Sequence, residues 1–359
     1  VNVDGTGTAT TGVTITAGVA SDLLRIRTRS PLTVNNAVTN TGGGSIILAA
    51  ESNLVTDDLA INANVTAIGG NGSIGLFAGD SISLAATVTV SATGDGNILL
   101  SGSTDYNGGT PRNGYDAAAG ADGRISMTSG ALIQSANGSI TLRADSDILL
   151  SRAESTGGGT ITITANYDGI DTGLAADNSG AILDNLPGDN ANITTSGLAV
   201  LDAGSGIGNS TDDINTDIGQ LNASVNSTGS LYLTDANTIT LTDVDTLNGS
   251  ITITAGGQIT ATDVESLTDA EANDIILRTI AGSILAGRIS AGSTGAVWLN
   301  SAAAVEESGS DATADIIAET LEINATIGIG AAGELEINAI NLGAATTAGS
   351  IVLLDTVGG

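Results

Sequence analysis

The segment NGSITITAGGQITATDVESL, Asn248 to Leu267, constrains this chain more than any other feature, because its opening recurs along most of the sequence. Variants stand at 43–49 (GGSIILA), 71–78 (NGSIGLFA), 137–144 (NGSITLRA), 228–236 (TGSLYLTDA) and 348–354 (AGSIVLL). Glycine followed by an alternating apolar run returns at spacings of roughly 15–28 residues, centred on the length of a solenoid coil. Within each run the alternation is strict. Ile251 and Ile253 share one face, while Ser250, Thr252 and Thr254 take the other. Period two with β-branched residues describes a half-buried strand, not a helix.

A second, shorter run often follows the first, as in SDILLS at 146–151, NTITLT at 237–242 and GQITAT at 257–262. One unit therefore reads as a Gly-Ser corner, a strand over 248–255, a Gly-Gly corner, a strand over 258–262 and an acidic exit. Gly and Asn at the corners supply the positive φ angles that tight turns require. Pro stands only at 31, 111 and 187, so it does not interrupt the runs. The fold class predicted is all-β, a right-handed parallel β-helix of roughly 15 coils at about 22 residues each, with loop insertions. One coil cannot offset its own ordering entropy; stacked coils add ladder hydrogen bonds and aliphatic contacts above and below.

The expected organisation is a single continuous solenoid over 1–359. Because Val1 and the closing LLDTVGG fall in mid-pattern, it reads as a fragment of, or repeat unit in, a longer chain. Two interruptions are expected as insertions, near 103–122 and 166–192.

Composition removes most chemistries. The chain has no Cys and no His, and its nine basic residues are all Arg. Thiolate and imidazole chemistry, disulfides and Schiff-base lysines are excluded. A net charge of −30 repels phosphates and anionic lipid, and neither a basic stripe nor stacking aromatics are present, so no nucleic-acid partner is expected. No apolar run approaches a membrane helix, and the aromatics are too few to girdle a transmembrane barrel, so membrane insertion is not expected either.

Residues 201–243 carry a more specific pattern. AGSGIGN, then INTDIGQLNA, then TGSLYLTDANTITL resembles the repeats of filamentous-haemagglutinin-like bacterial exoproteins and adhesins. In that family a Gly-Ile-Gly turn precedes a strand and then a Gly-Ser strand pair. The resemblance implies a secreted, extracellular β-helical shaft on a bacterial cell surface. The family's Asn-Pro-Asn secretion motifs have no counterpart here.

Candidate sites are few. Tyr106, Arg112 and Tyr115 in the first interruption and Tyr167 in the second are candidate ligand-binding residues, since solenoids place recognition on thrown-out loops. Asp212, Asp213, Asp217, Asp243 and Asp245 are candidate calcium ligands, carboxylates being suitable hard donors, although the Gly-Gly-x-Gly-x-Asp nonapeptide of calcium β-rolls is missing. No other cofactor or metal is expected. Asp212, Asp213 and Asp217 also raise a carbohydrate-active enzyme as an alternative, without the His and the scarce aromatic platforms such sites use. Thr-x-Thr runs at 160–164, 238–242 and 252–254 raise an ice-binding face, which demands register over many consecutive coils.

The function expected is therefore structural and non-enzymatic: an extracellular shaft or fibre subunit. Its partners would be further copies stacked head to tail or flanking repeats of a longer chain. The first alternative is an adhesin that contacts host glycan or protein through 103–122 and 166–192.

Overall fold

The computed structural model describes residues 22–28, 31–50, 57–102, 123–166, 179–310 and 312–357, with the backbone of four further short strands, Asn2–Asp4, Val13–Ile15, Tyr106–Asn107 and Thr110–Pro111. Every regular element among them is a β-strand. Apart from the antiparallel hairpin of Tyr106–Asn107 with Thr110–Pro111, strands pair in parallel with their counterparts in neighbouring coils. The chain is a parallel β-solenoid of about 12 turns. It divides into two compact units, Val1–Ala203 and Gly204–Gly359, built from the same coil.

A representative coil has three strands: Ile251–Ala255, Ile259–Ala261 and Val264–Ser266. The third replaces the acidic exit expected from sequence. Its inward positions are Val264 and Ser266, so only one aliphatic residue marks it, too little for a period-two signal. The smaller number of turns has a simple cause. Equivalent corner residues are separated by 28 residues at Ser45 and Ser73 and by 20 at Ser230 and Ser250. From Asn97 to Ser139 the step is 42 residues, because that coil includes 103–122. Within 166–192, Ala181–Asp184 is itself a ladder strand, pairing with Ile148–Leu150.

Alternation places aliphatic columns inside each unit. In the first, Leu24, Ile46, Ile74, Ile98, Ile140, Ile161 and Ala199 pair in succession and are fully buried. In the second, Leu231, Ile251, Ile275, Val297 and Leu321 form the same column. Each such side chain contacts its equivalents above and below, so burial is a property of the stack and not of the coil.

The recurring Gly-Ser pair has a different physical reason from the one that turn chemistry suggests. Gly43 and Gly94 do adopt positive φ, 78° and 77°. Gly44, Gly72, Gly96, Gly138 and Gly249, which start the strands, do not. There the constraint is close approach between coils. A Cβ on Gly138 would overlap the carbonyl oxygen of Gly96, one on Gly96 that of Gly72, one on Gly72 that of Gly44, and one on Gly249 that of Gly229. The serine after it ties the same layers together. Ser73 N donates to Ser45 Oγ (3.1 Å), Asn97 N to Ser73 Oγ (3.2 Å), Ser250 N to Ser230 Oγ (3.1 Å) and Asp274 N to Ser250 Oγ (3.2 Å). A buried hydroxyl at the end of the third strand completes the corner: Ser135 Oγ donates to Gly96 O (2.8 Å) and accepts from Gly138 N (2.9 Å). The corner is thus satisfied without water.

Candidate functional site

Of the loop residues singled out in the sequence, Arg112, Tyr115 and Tyr167 lie outside the described residues, and Tyr106 is described only by its backbone, in the hairpin strand Tyr106–Asn107. The five candidate aspartates fall in three places. Asp212 and Asp213 sit on a loop between two strands, Gly206–Ile207 and Ile214–Thr228, that share one neighbour: Ile207 pairs with Leu231 and Ile214 with Leu233. Residues 208–213 are therefore thrown outward between consecutive core positions. Gly208 turns the chain at a φ of 62°. Asn209 organises the turn, accepting from Thr211 N (3.0 Å) and Thr211 Oγ1 (2.7 Å). Asp213 accepts a hydrogen bond from the Thr234 hydroxyl. The loop borders a cleft of about 220 Å³ whose walls include Asp212, Asp213, Tyr232, Thr252 and Thr254. Tyr232 carries no signal in the sequence because it occupies an ordinary outward position of the strand Leu231–Asp235. Asp217 lies past this loop, where its carboxylate accepts from Asn237 Nδ2 (2.9 Å).

Asp243 and Asp245 belong to an acidic ladder on another outward face. Asp245 pairs directly with Glu265 in the neighbouring coil. Burial, followed by the charge of Asp243, raises the Asp245 carboxyl to about 6, with Asp263 and Glu265 adding to the effect. Arg288 spends its guanidinium on Glu265 and on Asp263 (3.2 Å). The smaller part of the effect comes from in-register stacking: a parallel ladder puts Glu265 of the next coil one strand spacing from Asp245, so like charges meet. The contribution of Asp245 to stability is full below its ordinary value of 3.8 and is lost as pH rises through about 6. Asp245→Asn should consequently stabilise the protein at pH 8 by on the order of 1 kcal/mol, discounted for solvent screening of a partly exposed group, and leave it unchanged near pH 3.5. Urea midpoints at the two pH values measure this; equal shifts at both would contradict it.

The outward threonines meet in neighbouring coils, as Thr234 with Thr254 and Thr240 with Thr260, but do not continue along a column. Thr252 is followed along its column by Ile276, Trp298 and Glu322, and Thr254 by Arg278, Asn300 and Asn324. No ice-binding array is built from these coils.

Among the described residues, one group of three acidic side chains converges closely enough to share an ion: Glu307, Asp315 and Glu336, whose carboxylate oxygens lie within 4.8 Å of one another. Glu307 ends the strand Ala304–Glu307, Asp315 directly precedes Ile316–Ala325, and Glu336 is second in Leu335–Thr346. The backbone locks two of them together: Asp315 N donates to Glu336 O (2.9 Å) and Glu336 N to Asp315 Oδ2 (3.0 Å). Asp315 and Glu336 are only 3% and 6% exposed. Burial, and then the charges of Glu307 and Glu336, push Asp315 up to about 7. None of the five aspartates marked in the sequence belongs to this group. Its members are separated in sequence and sit in unremarkable contexts, so only the coil geometry assembles them.

No family model, curated protein or solved structure matches the chain.

Proposed function

We propose that this chain is an extracellular structural protein, a β-helical shaft or fibre subunit of a bacterial cell-surface or filament assembly, and not an enzyme. The observation that supports this reading is the repetition of one set of contacts, Gly on carbonyl and Ser on amide, from coil to coil, while the outward positions beside it change identity freely. What is maintained is the stacking step, and a stack of that kind supplies reach.

Self-association or continuation by further coils fits the last described turns. The column that is fully buried at Leu321 reaches Leu342, which is 49% exposed, and Leu354, within the strand Leu353–Asp355, and Ile351 just before it are 41% and 44% exposed. A further coil, from a second copy or from flanking repeats, would cover this surface and pair the open edge. Electron microscopy of the purified protein is the test. Rods or fibres that shorten by about 4.8 Å per subunit when one coil is deleted support a shaft. Isolated particles whose surface binding disappears on deletion of 103–122 would instead support the adhesin.

The cleft beside residues 208–213 favours a second reading, recognition of a host glycan, because an aromatic ring and two carboxylates there meet several hydroxyls. Tyr232→Ala should leave adhesion to host cells unchanged for a shaft and reduce it at least tenfold for this adhesin. Asp212→Asn with Asp213→Asn should leave polysaccharide cleavage at background in both cases.

A further inference from the structure

The strand order around the three converging acids occurs twice in the chain. Ala181–Asp184, Ile193–Ala203, Gly206–Ile207 and Ile214–Thr228 are repeated as Ala304–Glu307, Ile316–Ala325, Gly328–Ile329 and Leu335–Thr346. The Gly-Ile-Gly turn recurs with its geometry, φ being 62° at Gly208 and 60° at Gly330. Aligning the strands places Glu307 on Asp184, Asp315 on Asn192 and Glu336 on Asn215. The first copy thus has one carboxylate and two amides where the second has three carboxylates. In the first copy an amide meets one oxygen of the carboxylate: Asn192 Nδ2 donates to Asp184 Oδ1 (2.5 Å) and to Ser151 O (3.2 Å). In the second the aligned positions, Asp315 and Glu336, are carboxylates and cannot donate when ionised.

A second, independent feature points into the same place. Glu336 is 94% buried by its 6% exposure, and its Oε2 has no hydrogen-bond partner among the described residues. A buried carboxylate oxygen left without a donor carries its full desolvation penalty, so it calls for a positive partner. The Arg beside this layer does not supply one: Arg288 precedes Ile289, whose amide donates to Asp315 O (2.7 Å), yet its side chain is committed to Glu265 and Asp263.

We propose that Glu307, Asp315 and Glu336 form a calcium site that the second copy of this internal repeat has and the first lacks. Oxygens spread over at most 4.8 Å match opposite sides of a coordination sphere with Ca–O distances of about 2.4 Å. Three carboxylates at a buried position suit calcium better than magnesium, which keeps most of its water and uses one or two carboxylates. The ion joins Glu307 and Asp315 to Glu336 of the neighbouring coil, so it acts as a staple between the last turns of the second unit.

The test uses the full chain, stripped with chelator and returned to about 0.15 M salt, where diffuse binding to the surface acids is screened. Calorimetric titration with calcium chloride is expected to show one site per chain more in the wild type than in Asp315→Asn/Glu336→Gln, the variant that restores the amide pattern of the first copy. The wild type should melt several degrees higher in calcium than in chelator; the variant should melt at one temperature in both. Glu307→Gln should weaken the site at least tenfold. Asp243→Asn/Asp245→Asn, on the acidic ladder, should leave it intact. Should the double variant fail to fold, the wild-type melting shift and Glu307→Gln still decide the matter. Equal calcium uptake by wild type and variants, or no calcium-dependent shift in the wild type, would overturn the site and leave the acids sharing a proton. A magnesium response equal to that of calcium would overturn the assignment of the ion.

Discussion

Gly138→Val is expected to destabilise the protein by about 3 kcal/mol or more, although it adds only an aliphatic side chain to an aliphatic-rich chain. Gly138 has no positive φ to protect, and its amide is already satisfied by Ser135 Oγ. What it lacks is room. A Cβ there overlaps the carbonyl oxygen of Gly96 and comes within 2.6 Å of its carbonyl carbon. Backbone cannot swing aside as a side chain can, so relief would require spreading two coils and stretching the ladder between Ile98–Ser101 and Ile140–Ala144. Gly309→Val is the matched control, since nothing lies within 4 Å of its added Cβ. Its effect should stay within about 0.5 kcal/mol. Urea denaturation followed by circular dichroism separates the two; comparable losses would show that corner glycines are needed for flexibility and not for approach.

The second large effect is expected at Ile253→Ala, at about 2–5 kcal/mol. Ile253 is fully buried and sits in a column between Leu233 and Leu277, so truncation opens a void facing two coils at once. Its neighbour Thr252 points outward between Tyr232 and Ile276, and Thr252→Ala should cost no more than about 0.5 kcal/mol. Both can be read in the same denaturation experiment. If the two substitutions cost the same, the alternation is not what holds the coil.

These two sites also show which parts of the fold were legible in the amino-acid sequence. Strand Ile251–Ala255 announces itself, because Ile, Thr, Ile, Thr and Ala alternate over a full strand. Strand Val264–Ser266 does not. Its inward face holds one valine and one serine, and three residues make no period. An acidic exit and a third strand occupy the same residues, so the length of the coil does not tell them apart. The corner glycines were visible as a motif, yet their cause was not. Turn statistics suggest positive φ for any Gly beside Asn, whereas the limiting contact comes from a glycine one coil away.

For the candidate sites the contrast is sharper. Asp212 and Asp213 are adjacent acids in a polar segment and attract notice in a one-dimensional reading. The convergence of Glu307, Asp315 and Glu336 does not show at all, since Glu336 is in a strand at a position that alternation assigns to solvent. It is buried because Leu335, Glu336 and Ile337 are all covered where the chain turns out of the Gly-Ile-Gly loop. Asp235 is comparable: burial raises its carboxyl, opposed by hydrogen bonds from Asn237 N, Thr216 Oγ1 and Ile218 N, so it pins a corner and leaves no oxygen waiting for an ion.

Sequence alone determined the class of fold, because period-two alternation restarted at each Gly-Ser pair admits few other solutions than stacked parallel coils. That information is local: it concerns which face each residue takes and where strands begin. Tertiary structure decided everything that depends on the step between coils. It set which glycine meets which carbonyl, which acids stack against like charge, and which three carboxylates from separate strands meet in one buried corner. Contacts between coils join residues such as Ser155 and Gly138, 17 positions apart, and Gly123 and Asp80, 43 apart, a separation that varies with each insertion and that no local pattern encodes.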